Sequence, residues 1–290
     1  MHILSELAES SATAASHGMF LPPVTPRGTK ILSSKTTAAF APYQALESRQ
    51  LIVDLLEELQ AYGKHVERYG NNVSCQMIYG FLMAMVTHPE VQKRAHEEVD
   101  RVVGPNRLPT SDDMDSMPYV RGCMRETMRW MPTTALLAPY APNAGRTLLF
   151  LILCASPTRL RSEYTIATSS DLNGKRHNHI FGAGRRLCPG IHVAERNLFL
   201  TVACILWGFN MSTPDPSKID IDDIRGGLAV ALAPFDYSIT PRDKHRSALA
   251  RSEWARAQTN HLDPATHQWD KAKLPGGLPA CAYAKSEDPF

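Results

Sequence analysis

The chain has no apolar run long enough to cross a membrane. A spanning helix needs about 18–20 consecutive apolar residues. The densest stretch, Leu148-Leu-Phe-Leu-Ile-Leu-Cys154, is far shorter. No basic start followed by an apolar block opens the chain, so no signal peptide is expected. An excess of one charge sign is also missing. Lys and Arg together number 31 against 29 Asp and Glu, a net charge of +2 with a pI near 8.2. That balance argues against a nucleic-acid partner and against attraction to an anionic membrane surface. The six cysteines (75, 123, 154, 188, 204 and 281) make no C-x-x-C pair and no small-domain framework. They read as reduced, intracellular thiols. Internal repeats and long low-complexity tracts are absent as well.

What is present suffices for a core. The chain has 290 residues, 43% apolar and 21% charged, which suits one large globular domain or two ordinary ones. Residues 1–40, rich in Ser, Thr, Ala and Pro, read as a weakly ordered arm. From Pro42 the apolar spacing is helical, through Leu46, Leu51, Ile52, Leu55, Leu56 and Leu59. A second helix is expected over Tyr62–Tyr79, softened near Gly70. A third is expected over Phe81–Val103, restarted at Thr87-His-Pro-Glu90 with Thr87 as cap and Pro89 in the first turn. His88 is open to two readings there, metal ligand or capping and surface residue. The next helix runs through Arg121–Trp130 and stops before Pro132. It carries Glu126 and Arg129, three apart and so on one face. Farther on, Asp215, Asp220, Asp222 and Asp223 cluster without calcium-loop order. Ile224–Thr240 alternates as one or two short strands turned at Gly226-Gly227, and His245–Asn260 is a polar helix. The expected fold class is mainly α with a little β.

The chemistry concentrates in Phe181-Gly-Ala-Gly-Arg-Arg-Leu-Cys-Pro-Gly190. Gly182, Gly184 and Gly190 would allow positive φ and close approach to a flat ligand. Arg185 and Arg186 offer planar forks to carboxylates. Cys188 precedes Pro189 and an apolar helix expected over Ile191 to about Phe209. A cysteine at a helix N-terminus is favoured as thiolate. A thiolate in a glycine turn beside an arginine suits the proximal position of a heme iron. The opposing reading is a buried cysteine in an ordinary glycine turn.

Phe181, Gly184, Arg186, Cys188 and Gly190 fill all the fixed positions of Phe-x-x-Gly-x-Arg-x-Cys-x-Gly. The loop thereby resembles the heme-binding loop of cytochrome P-450 enzymes. Glu126-Thr-Met-Arg129 resembles the Glu-x-x-Arg motif of that family's helix K. The resemblance covers roughly residues 41–132 and 177–255, with segments similar to helices D, E, the end of I with J, K, the heme loop and L. It implies a partial cytochrome P-450 fold: an incomplete domain over 41–255, then a loose tail over 256–290. Cys188 would be the axial metal ligand, Arg186 the partner of a heme propionate, and Phe181 a shield beneath the porphyrin. Gly184 and Gly190 would allow the turn, and Glu126 and Arg129 would brace the loop. The implied cofactor is heme b, with electrons from NADPH through NADPH-cytochrome P-450 reductase. The implied reaction inserts one oxygen atom into a small organic substrate, in fungal secondary metabolism by resemblance. The family sits on the endoplasmic reticulum membrane facing the cytosol, and no anchor of that kind is read here.

Three departures from the family pattern bear on activity. The helix I acid and alcohol are not matched, since Tyr69-Gly-Asn-Asn-Val-Ser74 fits the helix E resemblance better. The roof helices over the substrate are therefore expected to be missing, with helix E fused to the end of helix I near Gly80. Between Pro132 and Ile180 the family's Pro-x-Arg-Phe segment is lost, although Pro157-Thr-Arg159 keeps Pro-x-Arg. No tryptophan precedes Trp130, so the helix C tryptophan is missing too. His177 and His179 could suggest a metal, or simple exposure in a polar loop. The alternatives to a working monooxygenase are a catalytically impaired remnant and a helical interaction module without heme.

Overall fold

The computed structural model describes residues 41–59, 62, 65, 72–130, 181, 188, 190–220, 224–226 and 230–263. The expectations at Gly70, Arg159, His177, His179 and residues 1–40 lie outside them. Helix α1 is Ala41–Glu57, α2 is Asn72–Thr87 and α3 is Pro89–Val102. A 3-10 turn at Ser111–Ser116 leads into α4, Pro118–Trp130. Helix α5 is Ile191–Gly208. Then come β1 (Phe209–Ser212), a 3-10 turn (Pro216–Lys218), β2 (Ile224–Gly226), β3 (Val230–Leu232), β4 (Ser238–Pro241) and α6 (Lys244–His261). The mainly helical expectation, with a little β, holds for these residues.

Helix α5 is the centre. Leu198 to Gly208 are buried on every side of it, as an all-round apolar helix must be. Trp207, Phe199 and the following Phe209 are fully buried. Each such ring removes roughly 150–250 Å² from water, or about 4–6 kcal/mol of favourable transfer. Around α5 pack Leu51, Ile52 and Leu55 of α1, Ile78, Phe81 and Leu82 of α2, Ala95 and Val99 of α3, and Val120 and Met124 of α4.

The boundary between α2 and α3 differs from the sequence expectation. Helix α2 runs unbroken through buried Gly80, and the break falls at His88. Thr87 does not cap α3. Its Oγ1 donates back to the carbonyls of Met83 (2.7 Å) and Ala84 (3.3 Å), inside α2. Pro89 forces the break, because it lacks an N–H and pushes His88 out of helical geometry, to φ −129 and ψ 70. Helix α3 then ends at Gly104, whose φ of +70 only glycine adopts freely. The Gly104 carbonyl accepts the indole N–H of Trp207 at 2.8 Å.

The strand pairing also carries a surprise. Strands β2 and β3 form the expected hairpin, but β4 leaves it and pairs antiparallel with β1, Met211 opposite Ile239. Phe209–Ser212 was not read as a strand, since four residues carry too little alternation to register. Buried Gln92 of α3 closes the open edge of β1. It donates to the Met211 carbonyl (2.8 Å) and accepts the Met211 N–H (2.9 Å). Helix α6 packs on α1 through Leu46 and Ala257. It runs to His261, one residue beyond the polar helix expected over His245–Asn260, and Ala257 near its end has a partner to bury against.

A charged clamp ties α3 to the C-terminal elements. Arg242 grips Asp100 with two bonds (2.9 and 2.7 Å), and buried Arg246 adds a third at 2.7 Å. Arg246 also donates to the Trp207 carbonyl (2.8 Å) and lies 5.5 Å over the Trp207 ring.

Candidate functional site

Cys188 sits one turn before α5. Its N–H donates to the Phe181 carbonyl at 2.8 Å, so the two ends of the glycine-arginine loop meet. Its own carbonyl accepts the Ile191 N–H at 3.4 Å, leading the chain into the helix. Phe181 is half-buried against the main core. Gly190 is the N-cap, at φ −80 and ψ 2. That corrects the expectation of positive φ here, because a residue entering a right-handed helix has no need of it. A Cβ at Gly190 would lie 3.8 Å from the Cys188 sulfur, an ordinary contact.

The thiolate expectation needs a second correction. Burial pushes the Cys188 thiol above its ordinary value of 9.0, and the Gly190 N–H only partly opposes this. The helix N-terminus alone therefore does not ionise the sulfur. A metal cation would, since a coordinating thiol is deprotonated by the ion's own charge. Cys188 fits that role better than the other free cysteines described. Cys123 and Cys204 are fully enclosed, and burial drives both to about 12. Cys188 is only half-buried and stands at the mouth of a turn. Arg186 and Gly184 lie outside the described residues.

Two neighbouring helices reach the first turn of α5. Buried Gln44 of α1 donates its amide to the Val193 carbonyl at 3.2 Å. Arg125 of α4 lies 4.0 Å from Glu195, both about a third exposed. Helix α4 also carries Glu126, half-buried, one residue beyond Arg125. The side chain of Arg129 lies outside the described residues. The start of α4 is held by a residue that sequence reasoning missed. Buried Glu98 of α3 accepts the N–H groups of Tyr119 (3.2 Å) and Val120 (2.8 Å). It caps a helix twenty-odd residues away, so no local capping signal could reveal it.

Among the described residues no cluster of His, Cys, Asp or Glu could hold a metal ion. His88 is exposed, its Nδ1 within 2.9 Å of Thr87 Oγ1 and 3.2 Å of the Ala84 carbonyl, a cap position. Asp215 accepts the Ser217 N–H and caps its 3-10 turn. Two clefts, of about 320 and 230 Å³, do not have Cys188 among their lining residues. No helix among the described residues is long and apolar enough to cross a membrane.

Comparison with known proteins places this geometry. The family described as Cytochrome P450 matches residues 73–142 and 170–239. Cytochrome P450 monooxygenase virE of Hypocrea virens is 34% identical over 70% of this chain and 44% of its own. Cytochrome P450 monooxygenase fsoB of Humicola fuscoatra is 34% identical over 74% and 45%. Cytochrome P450 monooxygenase alnH of Emericella nidulans is 36% identical over 71% and 42%. The chain spans less than half the length of these curated relatives. A solved zebra fish cytochrome P450 with progesterone shares the fold over 63% of this chain and 44% of its own, with a TM-score of 0.50 at 24% identity. Both matched stretches contain the motifs that stood out in the sequence, Glu126-x-x-Arg129 in the first and Phe181 to Gly190 in the second, and the chain belongs to the cytochrome P450 family.

Proposed function

We propose that this chain holds heme b through Cys188 and acts as a heme-thiolate monooxygenase on a small organic substrate of fungal secondary metabolism. One observation carries the reading. The Cys188 N–H closes on Phe181 at 2.8 Å and leaves a half-buried sulfur at the head of the most buried helix. A donor atom fixed to a rigid element is what a metal-binding thiolate requires.

Heme, when bound, supplies the oxygen chemistry, with electrons from NADPH through NADPH-cytochrome P-450 reductase. The chain's residues do the rest. Cys188 would hold the heme iron as a thiolate, its proton released on binding, and would supply it with electron density. Arg186 pairs a propionate through a charge-assisted contact. Phe181 shields the sulfur from water, and Gly184 and Gly190 let the loop turn close to the ring. Glu126 and Arg129 brace that loop from α4.

The test is the Soret spectrum of the reduced protein with carbon monoxide. The chain should show the red-shifted band of a thiolate-ligated heme, and Cys188→Ala should abolish it. Persistence of that band in the variant removes Cys188 from the site.

The unmatched helix I relay favours a second reading, a catalytically impaired member. Oxygen insertion needs a directed proton supply and a site closed to water. Neither the helix I acid and alcohol nor a substrate roof is matched in the sequence. On this reading heme is held weakly and electrons leak to peroxide.

A further inference from the structure

We infer that Gln44 is a positioning residue for the Cys188 ligand turn, acting from α1 on the first turn of α5. The inference rests on the reading of Cys188 as the axial ligand.

Gln44 is 3% exposed and lies 149 positions before its partner, the Val193 carbonyl. That carbonyl already belongs to the α5 hydrogen-bond ladder, so Gln44 uses its second lone pair. The bond adds nothing to the helix itself. What it fixes is where the first turn of α5 stands relative to α1. Cys188 hangs on that turn through the Ile191 N–H at 3.4 Å, and Gly190 through the Ala194 N–H at 3.0 Å. A rotation or slide of the turn would move the sulfur with it.

The other end of the Gln44 amide gives the stronger argument. Its Oε1 is buried with no hydrogen-bond partner among the described residues. An unsatisfied buried acceptor is destabilising, so a side chain selected only for stability would be apolar here. Among the described residues only its donor end meets a partner. A second contact meets the same first turn of α5, where Arg125 of α4 lies 4.0 Å from Glu195. Polar side chains of both α1 and α4 thus reach the turn that follows Cys188.

The discriminating variant is Gln44→Met, similar in shape and without either polar end. A merely structural role predicts loss of thermal stability. A positioning role predicts an unchanged or raised Tm, because the orphan acceptor is gone, together with damage at the heme. The heme-loaded full chain and the variant are compared by Tm, by heme retention against apomyoglobin as acceptor, and by the reduced carbon monoxide spectrum. Heme retention should weaken about fivefold, the equivalent of one neutral hydrogen bond, and part of the Soret absorbance should move from the thiolate-type band to the protonated-thiol type. An unaltered spectrum with heme retention within about twofold of the parent overturns the inference and leaves the function standing. A parent chain with no thiolate-type band overturns both. Should Gln44→Met fail to fold, Arg125→Gln, which opens the half-exposed contact on the same turn, is read in the same way with the same two outcomes.

Discussion

Acid should expose the clamp around His96. The ring sits on α3 among Arg242, Asp100, Arg246 and the Phe209 carbonyl, and its Nε2 is buried with no hydrogen-bond partner among the described residues. Burial, and then the charge of Arg242, pushes its pKa from 6.5 down to about 4, against the pull of Asp100 and the Phe209 carbonyl. The unfolded chain therefore takes up a proton near pH 6.5 that the folded chain refuses until about pH 4. Between those values the unfolded state binds more protons, so stability rises with pH and is lost as acid is added. At about 1.4 kcal/mol per pH unit, the gap is worth about 3 kcal/mol. Asp100 does not confuse the window. Burial raises its carboxyl, but the bonds from Arg242 and Arg246 outweigh that and hold it below the ordinary carboxylate range. The assay is urea unfolding followed by helical circular dichroism at several pH values from neutral to about pH 4. With a slope of about 2 kcal/mol per molar urea, the midpoint should fall by about 1.5 M across the window. His96→Gln, neutral throughout, should flatten most of that fall. Equal slopes in parent and variant would put the ring in water and refute the argument.

Two other outcomes are expected. Glu98→Ala should cost about 2–4 kcal/mol, because two N–H groups at the start of α4, that of Val120 buried and that of Tyr119 partly so, lose a charged acceptor; thermal unfolding measures it, and a change below about 0.5 kcal/mol would mean water caps α4 instead. Gln92→Leu should cost about 2–3 kcal/mol and speed amide exchange at Met211 before the rest of the core, since the strand edge is left unpaired. Reductase, NADPH and a panel of candidate substrates separate the two readings of function: coupled oxidised product is the outcome of the monooxygenase reading and would show that some group of this chain replaces the unmatched helix I relay, whereas peroxide in excess of product is the outcome of the impaired one.

The family was legible in the sequence because its motif is local. Phe181, Gly184, Arg186, Cys188 and Gly190 lie within one decade of residues, and their spacing matches the pattern of the family to which the chain belongs. The helices were legible for a similar reason, since Leu46 through Leu55 and Ala95 with Val99 keep a 3.6 period that burial then uses. What was illegible is everything joined by tertiary contact. Gln92 meets Met211 across 119 positions, Arg246 meets Asp100 across 146, and Gln44 meets Val193 across 149. Each is a single polar residue in an otherwise unremarkable helix, and no periodicity marks it. The misplaced cap of α3 had a local cause. Thr87 carries the right side chain for a cap, but Pro89 moved the cap to His88 and left the hydroxyl facing its own helix.

Those long-range polar residues share a logic that bears on how a chain spanning less than half the length of its curated relatives is held together. Burial of α5 supplies a non-directional driving force, which fixes neither rotation nor register. Gln92, Glu98 and Asp100 lie on one helix, α3, and each binds a different element: β1, α4 and the Arg242–Arg246 pair. Side chains that must satisfy buried backbone groups have one geometry each. Helix α3 therefore orients three elements around α5 without help from the Cys188 loop. Gln44 binds from α1 at the end of α5 that follows Cys188. The core so described has its own polar specification, independent of the Cys188 turn, and loss of Cys188 should leave it folded. A Cys188→Ala chain with parental Tm in its heme-free form would bear that out, and a chain that unfolds with the ligand would show that the turn belongs to the core.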